Sequence, residues 1–203
     1  MVSEPNGSRA EALRALRTHV VAQHIKLGRR AIAVCAPSGG VGCSFVAANL
    51  AIALAQIGLK TLLVDGDLRA PSIDKFVLPS GEGQGLRQYL AGEEPLGTYL
   101  HRANVLDELA VLYAGGAAPN AQELIGGDRF KALMEGCLRD FDITVVDTPP
   151  ANLYADARRI SSVLGYSLVV ARRNLSLVHD IKTLVGELEV DRAEVVGTVL
   201  NGA

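Results

Sequence analysis

The sequence has few aromatic residues, few cysteines, no long hydrophobic run and no large excess of charge. Aromatic residues make up 4% of the 203 residues and tryptophan is absent, so a core has to be built from Ala, Val, Leu and Ile. Three cysteines without a C-x-x-C pair exclude a disulfide framework and a cysteine zinc site, and they indicate a reducing compartment. Every apolar run is shorter than the roughly 20 residues that a membrane span requires.

Charge and composition narrow the class of protein. The chain has 20 basic and 22 acidic residues, a net charge of −2, which argues against binding nucleic acid over the whole surface. Hydrophobic residues make up 49%, enough for a folded core. We expect a flexible lead over residues 1–8 without the features of a signal peptide, followed by a single domain over residues 9–203 in the cytoplasm.

Short apolar runs alternate with amphipathic segments along the chain, which predicts an α/β fold with a mostly parallel central sheet flanked by helices. The predicted strands cover residues 31–36, 61–64, 109–113, 143–146, 167–171 and 195–200. The predicted helices cover residues 8–27, 43–57, 86–90, 121–138, 155–163 and 176–189. Functional groups are expected at the carboxyl ends of the strands.

A glycine-rich loop links the first predicted strand to the next helix. Such a loop directs backbone N–H groups and the positive end of the helix into one concavity, which favours phosphate. The glycines match the deviant phosphate loop K-G-G-V-G-K-T-T, but Ser38 and Cys43 replace its two lysines. Ser44 keeps the hydroxyl that would hold Mg²⁺. The predicted nucleotide-binding residues are Gly39, Gly40, Val41, Gly42, Cys43, Ser44 and Phe45.

The missing second lysine predicts weak binding of ATP or ADP, or none. A hydrogen bond to a charged group contributes about 1.5–3 kcal/mol, so its loss weakens binding roughly 10- to 150-fold. Phosphoryl transfer should suffer more, because it depends on electrostatic stabilisation. At a helix N-terminus the thiol of Cys43 is expected to have a lowered pKa, and a thiolate would repel phosphate. Alternatively, the loop only preserves the turn and binds nothing.

Acidic residues follow two of the predicted strands. Asp65 and Asp67 come after the second strand, and Asp147 follows the strand at 143–146. Together with the hydroxyl of Ser44, these carboxylates are hard oxygen ligands of the kind that Mg²⁺ prefers beside a phosphate. A turn-forming or helix-capping role is the alternative for each single Asp.

Four motifs resemble the bacterial tyrosine kinases (BY-kinases) of exopolysaccharide and capsule systems, a branch of the MinD/ParA-like P-loop group. The first helix contains Glu11-x-x-Arg14-x-x-Arg17, similar to the family's E-x-x-R-x-x-R oligomerisation motif. The segment 47–58 is similar to the family's first helix after the phosphate loop. Residues 65–71 resemble the second acidic motif, Walker A′, and residues 147–150 resemble Walker B.

The resemblance implies a P-loop NTPase-like three-layer sandwich with Ser44, Asp65, Asp67 and Asp147 around Mg²⁺. It makes Asp67 the candidate base that activates a tyrosine hydroxyl. It implies a homo-oligomer formed through the first helix, although pairing within the helix would also explain Glu11, Arg14 and Arg17. The implied partner is the cytoplasmic end of a membrane polysaccharide co-polymerase, which would place the protein at the inner membrane.

Two departures from the family predict a pseudokinase. The lysine is replaced at Cys43, and the family's C-terminal tyrosine cluster does not follow in this sequence, which leaves open whether the native chain continues past Ala203. The first alternative is an active kinase or ATPase in which Arg69 or a neighbouring subunit supplies the cation. The second is a MinD/ParA-like positioning ATPase. Arg172 and Arg173 end a predicted strand, where they either approach an anion or lie in a solvated loop.

Overall fold

The computed structural model describes residues 7–79, 83–92, 94–102 and 106–202, and these form a single α/β unit. Its sheet has the strand order β3-β4-β2-β5-β1-β6-β7. The strands are β1 Ala31–Cys35, β2 Thr61–Asp65, β3 His101–Arg102, β4 Leu109–Leu112, β5 Ile143–Asp147, β6 Tyr166–Arg172 and β7 Glu194–Asn201. Among the described strands, only the short β3 pairs antiparallel with its neighbour, so the prediction of a mostly parallel sheet is confirmed.

Seven α-helices lie in the part of the chain that the structure describes. They are α1 Ser8–Gln23, α2 Cys43–Ala55, α3 Leu86–Ala91, α4 Ala121–Gly126, α5 Asp128–Asp140, α6 Asp156–Leu164 and α7 Val178–Val190. None of these helices is long and apolar enough to cross a membrane. Residues 1–6 of the expected N-terminal lead lie outside the described residues, and α1 begins at Ser8.

The single helix predicted over residues 121–138 is wrong. Two helices, α4 and α5, meet at Gly127, whose backbone is extended at φ −76° and ψ 161°. The apolar periodicity continues across the break, which explains the error, but the adjacent glycines at 126 and 127 have low helix propensity. Gly127 therefore ends one helix and precedes the next.

The three central strands β1, β2 and β5 are buried at every position, because helices cover both faces of the sheet. Helices α1 and α2 cover one face, where Leu50 and Leu54 pack against Ile32 and Val34. The helices from α3 to α6 cover the other face, with α7 beside them against β6 and β7. Helix α2 is apolar on nearly all sides because it lies between the sheet and α1.

The carboxyl ends of β2 and β5 are held together by register and by a glycine. Asp65 and Asp147 are direct partners in the parallel pairing of these strands. The N–H of Gly66 then donates to the carbonyl oxygen of Asp147 over 3.0 Å. A Cβ on Gly66 would lie 2.6 Å from that oxygen and 3.1 Å from Ile160. Only glycine allows the chain to leave β2 this close to β5.

Replacing Gly66 by Ala should lower the free energy of unfolding by about 1–3 kcal/mol, the usual cost of overpacking. The new methyl group meets backbone, which has little freedom to move aside. Gly97→Ala is the control, because open space surrounds that position. Urea denaturation of the two variants and the wild type measures the difference. An equal, small effect of both substitutions would contradict this account of Gly66.

Candidate nucleotide-binding site

The glycine-rich loop joins the end of β1 to the first turn of α2. Gly40 and Gly42 have positive φ angles of 75° and 90°, which residues with side chains rarely adopt. Gly42 is the N-cap of α2, so the helix begins at Cys43 as predicted. This backbone turns back on itself at the positive end of a helix, which is the arrangement that binds phosphate.

Two side chains from β6 and β7 hold the loop in place. The guanidinium of Arg172, at the end of β6, donates to the carbonyl oxygen of Gly40 over 2.9 Å. The amide of Asn201, at the end of β7, donates to the carbonyl oxygen of Val41 over 2.9 Å. That amide also occupies the space that a Cβ on Gly42 would need. Because Arg172 and Asn201 bind carbonyl oxygens of the loop, they do not compete with a ligand for its backbone N–H groups.

The sequence did not reveal this role for either residue. From the sequence, Arg172 is compatible with either an anion contact or a solvated loop, and no motif includes Asn201. Both lie more than 100 positions after the loop along the chain, so only the strand order brings them to it. The position of each at the carboxyl end of a predicted strand was the available signal.

Cys43 is a neutral thiol that points toward the sheet. Its Sγ donates to the carbonyl oxygen of Val34 over 3.1 Å. Burial raises the pKa of the Cys43 thiol well above its usual range, and the nearby carboxylate of Asp147 raises it further. The expected lowering of this pKa is therefore wrong, because desolvation and a neighbouring negative charge outweigh the helix N-terminus. A neutral thiol neither repels phosphate nor replaces the ammonium group of a lysine.

Asp147 is completely buried beside the loop. Neither of its carboxylate oxygens has a hydrogen-bond partner among the described residues. The hydroxyl of Ser44 and the thiol of Cys43 lie close enough to lower the pKa of this carboxyl group, although neither reaches hydrogen-bond geometry. Burial raises the pKa of Asp147 to about 8, and the carboxylate of Asp65 adds to the effect. A buried, unpartnered carboxylate requires either a proton or a cation.

Asp65 has a different environment, although it is next to Asp147 in the sheet. Its carboxylate accepts hydrogen bonds from the backbone N–H groups of Asp67, Ser72 and Ile73, at 3.1–3.2 Å. Burial nevertheless raises the pKa of Asp65 to about 6. The residue lines a neighbouring pocket with Asp74 and Tyr113 rather than the pocket at the glycine-rich loop.

Asp67 and Ser44 both line the pocket at the glycine-rich loop, hereafter the phosphate pocket, which has a volume of about 350 Å³. Oδ1 of Asp67 accepts the backbone N–H groups of Arg69 and Ala70, both over 2.9 Å, which is a turn-forming arrangement. The Ser44 hydroxyl accepts a hydrogen bond from the Ser72 hydroxyl over 2.9 Å. The structure thus brings Ser44, Cys43 and Asp67 to one pocket, with Asp147 buried beside them.

The donors fit a magnesium ion held jointly with a nucleotide. Among the described residues no group of three His, Cys, Asp or Glu side chains is arranged to hold a metal ion by itself. Magnesium usually keeps several waters and binds one or two protein oxygens together with phosphate oxygens. The unpartnered carboxylate of Asp147 and the hydroxyl of Ser44 are oxygen donors of that kind.

Two further predicted groups lie outside the phosphate pocket. On α1 the guanidinium of Arg14 pairs with Glu11 over 2.9 Å, one turn away on the same helix, and Arg17 follows half-buried. The guanidinium of Arg69 pairs with the buried carboxylate of Asp156 over 2.9 Å and lies 4.8 Å from the centre of the Tyr154 ring.

The fold and the phosphate pocket define a P-loop NTPase of the ParA type. Consistent with this class, residues 28–158 match the family described as "ParA: NUBPL iron-transfer P-loop NTPase". Among solved structures, the kinase domain of the Escherichia coli tyrosine kinase ETK superposes with a TM-score of 0.90 at 30% identity, over 99% of this chain and 78% of that one. The cell-division ATPase MinD of Pyrococcus furiosus superposes with a TM-score of 0.72 at 26% identity, over 85% and 72%.

Curated relatives point to the same family. The tyrosine-protein kinase etk of Escherichia coli K12 is 31% identical over 201 residues, 99% of this chain and 27% of the relative. The putative tyrosine-protein kinase CapB of Staphylococcus aureus is 27% identical over 198 residues, 98% of this chain and 86% of the relative. The chain thus spans about a quarter of the length of the first relative. It belongs to the bacterial tyrosine-kinase family within the ParA-like P-loop NTPases.

Replacing Asp147 by Asn should stabilise the protein more at pH 8 than at pH 6. Because the folded-state pKa of about 8 lies above the ordinary 3.8, the folded protein holds this proton more tightly than the unfolded chain does. The contribution of Asp147 to stability is therefore present at low pH and is lost as the pH rises toward 8.

Urea denaturation without nucleotide or metal, at several values between pH 6 and pH 8.5, measures this effect. Between pH 6 and pH 8, the difference in the free energy of unfolding between Asp147→Asn and the wild type should grow by about 1–3 kcal/mol. Groups such as His24 titrate in both proteins and cancel in that difference. The exposed Asp107→Asn serves as the control and should show no growth. A constant difference for Asp147→Asn would mean that its carboxylate is already charged at pH 6.

Proposed function

We propose that this chain is a pseudokinase domain of the bacterial tyrosine-kinase family. It binds ATP or ADP with Mg²⁺ weakly, and its kinase activity is weak or absent. The observation that supports this most is a complete phosphate-binding frame around a loop in which the neutral thiol of Cys43 replaces the expected lysine ammonium. Family membership supplies the frame, and the residue at position 43 distinguishes this chain within it.

The backbone of the loop supports nucleotide binding. The loop residues 39–45 lie between a strand end and the N-terminus of α2, with positive φ at two glycines. Arg172 and Asn201 hold the loop carbonyl groups, which reduces the ordering that a ligand would have to impose. The loop residues 39–45 therefore have an arrangement suited to binding phosphate, although none of them is a lysine.

Magnesium would be held by Ser44, Asp67 and Asp147 together with the phosphates. The ion would neutralise phosphate charge and the charge of the buried carboxylate when it binds. Asp65 is among the predicted magnesium ligands, but the backbone N–H groups that it accepts favour a structural role. It holds the segment at Ser72 and Ile73 and disfavours ionisation of Asp147.

The loop chemistry argues against efficient phosphoryl transfer. Catalysis of that reaction depends on positioning and on positive charge at the moving phosphoryl group. Cys43 supplies no charge, because its thiol remains protonated far above neutral pH. Asp67 remains the candidate base, since no described residue donates to its Oδ2. A base without the neutralising cation would give slow chemistry.

The alternative of an active kinase that uses Arg69 has an observation against it. The guanidinium of Arg69 is engaged by the buried carboxylate of Asp156, and moving it to phosphate would leave that carboxylate unpaired. The pair is only partly buried, because the Arg69 side chain is 23% exposed, but Asp156 is buried and an unpaired carboxylate there would cost stability. The MinD/ParA-like positioning ATPase has no specific observation in its favour.

We also propose the biological setting that the family implies. The domain would act in the cytoplasm in an exopolysaccharide or capsule system, where it docks on the cytoplasmic end of a membrane polysaccharide co-polymerase and regulates it. It would self-associate through Glu11, Arg14 and Arg17 on α1. The exposed or half-buried position of these three side chains supports a contact with a second subunit.

Replacing Cys43 by Lys should tighten binding of Mg–ATP about 10- to 150-fold, because it restores a charged contact to phosphate. Isothermal titration with Mg–ATP and Mg–ADP measures the affinities, and release of phosphate from labelled ATP measures turnover. The control is Leu138→Lys, which adds the same positive charge at a partly exposed position of α5. Cys137→Lys would instead place a charge in the core. Tight ATP binding with rapid turnover by the unaltered protein would refute the pseudokinase proposal.

Replacing Glu11, Arg14 and Arg17 together by Ala should convert an oligomer into a monomer. The exposed Glu11–Arg14 pair contributes little to the stability of the fold, so the variant should remain folded. Sedimentation velocity over a range of protein concentrations measures the assembly. A matched variant on α5, Lys131→Ala with Glu135→Ala, should assemble like the wild type. Unchanged assembly of the triple variant, or a wild type that is always monomeric, would contradict the proposal.

A further inference from the structure

The phosphate pocket has two walls, and the second wall supplies a cation. The glycine-rich loop forms one wall, and the segment from Asp67 to Phe76 forms the other, with Thr148 and Pro150 at the end. Among the described residues that line the pocket, two have charged side chains, Asp67 and Lys75. Asp67 is engaged by backbone N–H groups on one oxygen. Lys75 is exposed, and no ion pair involves it within the described residues.

The backbone at Lys75 is fixed to the end of β2. A short 3₁₀ turn, Ile73–Lys75, follows Ser72. The carboxylate of Asp65 accepts the N–H groups of both Ser72 and Ile73 over 3.1 Å, and the side chain of Ile73 is completely buried. The turn therefore has a firm base, and the long side chain of Lys75 extends from it.

The same turn contacts the glycine-rich loop on either side of Lys75. Before it, the Ser72 hydroxyl donates to the Ser44 hydroxyl over 2.9 Å. After it, the ring of Phe76 packs edge-on against the ring of Phe45, with 6.1 Å between the ring centres. These two contacts join the second wall to the loop on both sides of Lys75, and Lys75 itself lines the pocket between the two walls.

The adjacent acidic residue does not neutralise Lys75 there. Asp74 lines the neighbouring pocket with Asp65 and Tyr113. Burial, with a smaller contribution from the carboxylate of Asp74, raises the pKa of Tyr113 to about 12, which places that carboxylate on the Tyr113 side. Asp74 and Lys75 are consecutive in the chain but line different pockets. An ammonium group is a compact point charge suited to phosphate oxygens from any direction.

We propose that Lys75 is the cation that contacts the phosphates of a nucleotide bound at the glycine-rich loop, in place of the ammonium group that Cys43 lacks. This inference rests on the proposed nucleotide binding and identifies its main cationic contact. A contact from the opposite wall lies on a different side of the phosphates than a lysine of the loop itself. Lys75 therefore supports binding of a polyphosphate without restoring the catalytic arrangement.

The test compares Lys75→Gln, Lys75→Arg and the control Lys131→Gln, which removes the same charge from an exposed position on α5. Isothermal titration uses Mg–ATP, Mg–tripolyphosphate and adenosine as probes, at low and moderate salt. Lys75→Gln should weaken ATP and tripolyphosphate binding about 10-fold or more and reduce the salt dependence of binding. Lys75→Arg should retain most of the affinity, adenosine binding should not change, and Lys131→Gln should behave like the wild type.

A second measurement does not depend on a variant. Acylation of lysines in the wild type, read by mass spectrometry, should be slowed by Mg–ATP at Lys75 and unchanged at Lys131. Wild-type binding that is insensitive to Lys75→Gln, with no protection of Lys75, would overturn this inference and leave the proposed function intact. No nucleotide binding by the wild type at all would overturn both.

Discussion

Strand register places two carboxylates side by side at the centre of a parallel sheet. Asp65 and Asp147 are direct partners at the carboxyl ends of β2 and β5, where little water reaches them. Two negative charges on neighbouring residues in a low-dielectric environment repel each other strongly, so at least one of the two carboxylates must be neutralised. Asp65 receives three backbone N–H groups, whereas Asp147 receives none. The remaining requirement for a proton or a cation therefore falls on Asp147, next to the phosphate loop.

The state of Cys43 follows from that arrangement. A thiol that packs beside an unpartnered carboxylate holds its proton, and it donates to a main-chain carbonyl oxygen of β1. The loop consequently has no charge of its own, either positive or negative. Its attraction for phosphate depends on backbone N–H groups, the helix N-terminus and charges that come from elsewhere in the fold. Phosphate binding and phosphoryl transfer can then separate, because transfer has the stricter electrostatic requirement.

The residues that shape the pocket come from distant parts of the chain. Arg172 and Asn201 hold the loop from β6 and β7, and the turn at Ile73–Lys75 forms the opposite wall through Asp65. Asp65 thus couples the acidic centre to the second wall, since the same carboxylate that raises the pKa of Asp147 also holds the turn. A change at this position would disturb charge and geometry together.

The sequence by itself determined the α/β class, the mostly parallel sheet, the start of α2 at Cys43 and the acidic strand ends, because each depends on local periodicity or on a short motif. The family also followed from short motifs. Periodicity failed at Gly127, where a helix breaks without a change of apolar pattern, and the motif at Cys43 predicted the wrong direction for its pKa.

Only the tertiary structure decided which groups meet. It separated Asp65 from the phosphate pocket and brought Lys75, Arg172 and Asn201 to it. It also engaged Arg69 with Asp156. The physical reason is that burial, strand order and register set the local dielectric and the neighbours of each side chain, and these properties have no counterpart in the spacing of residues along the chain.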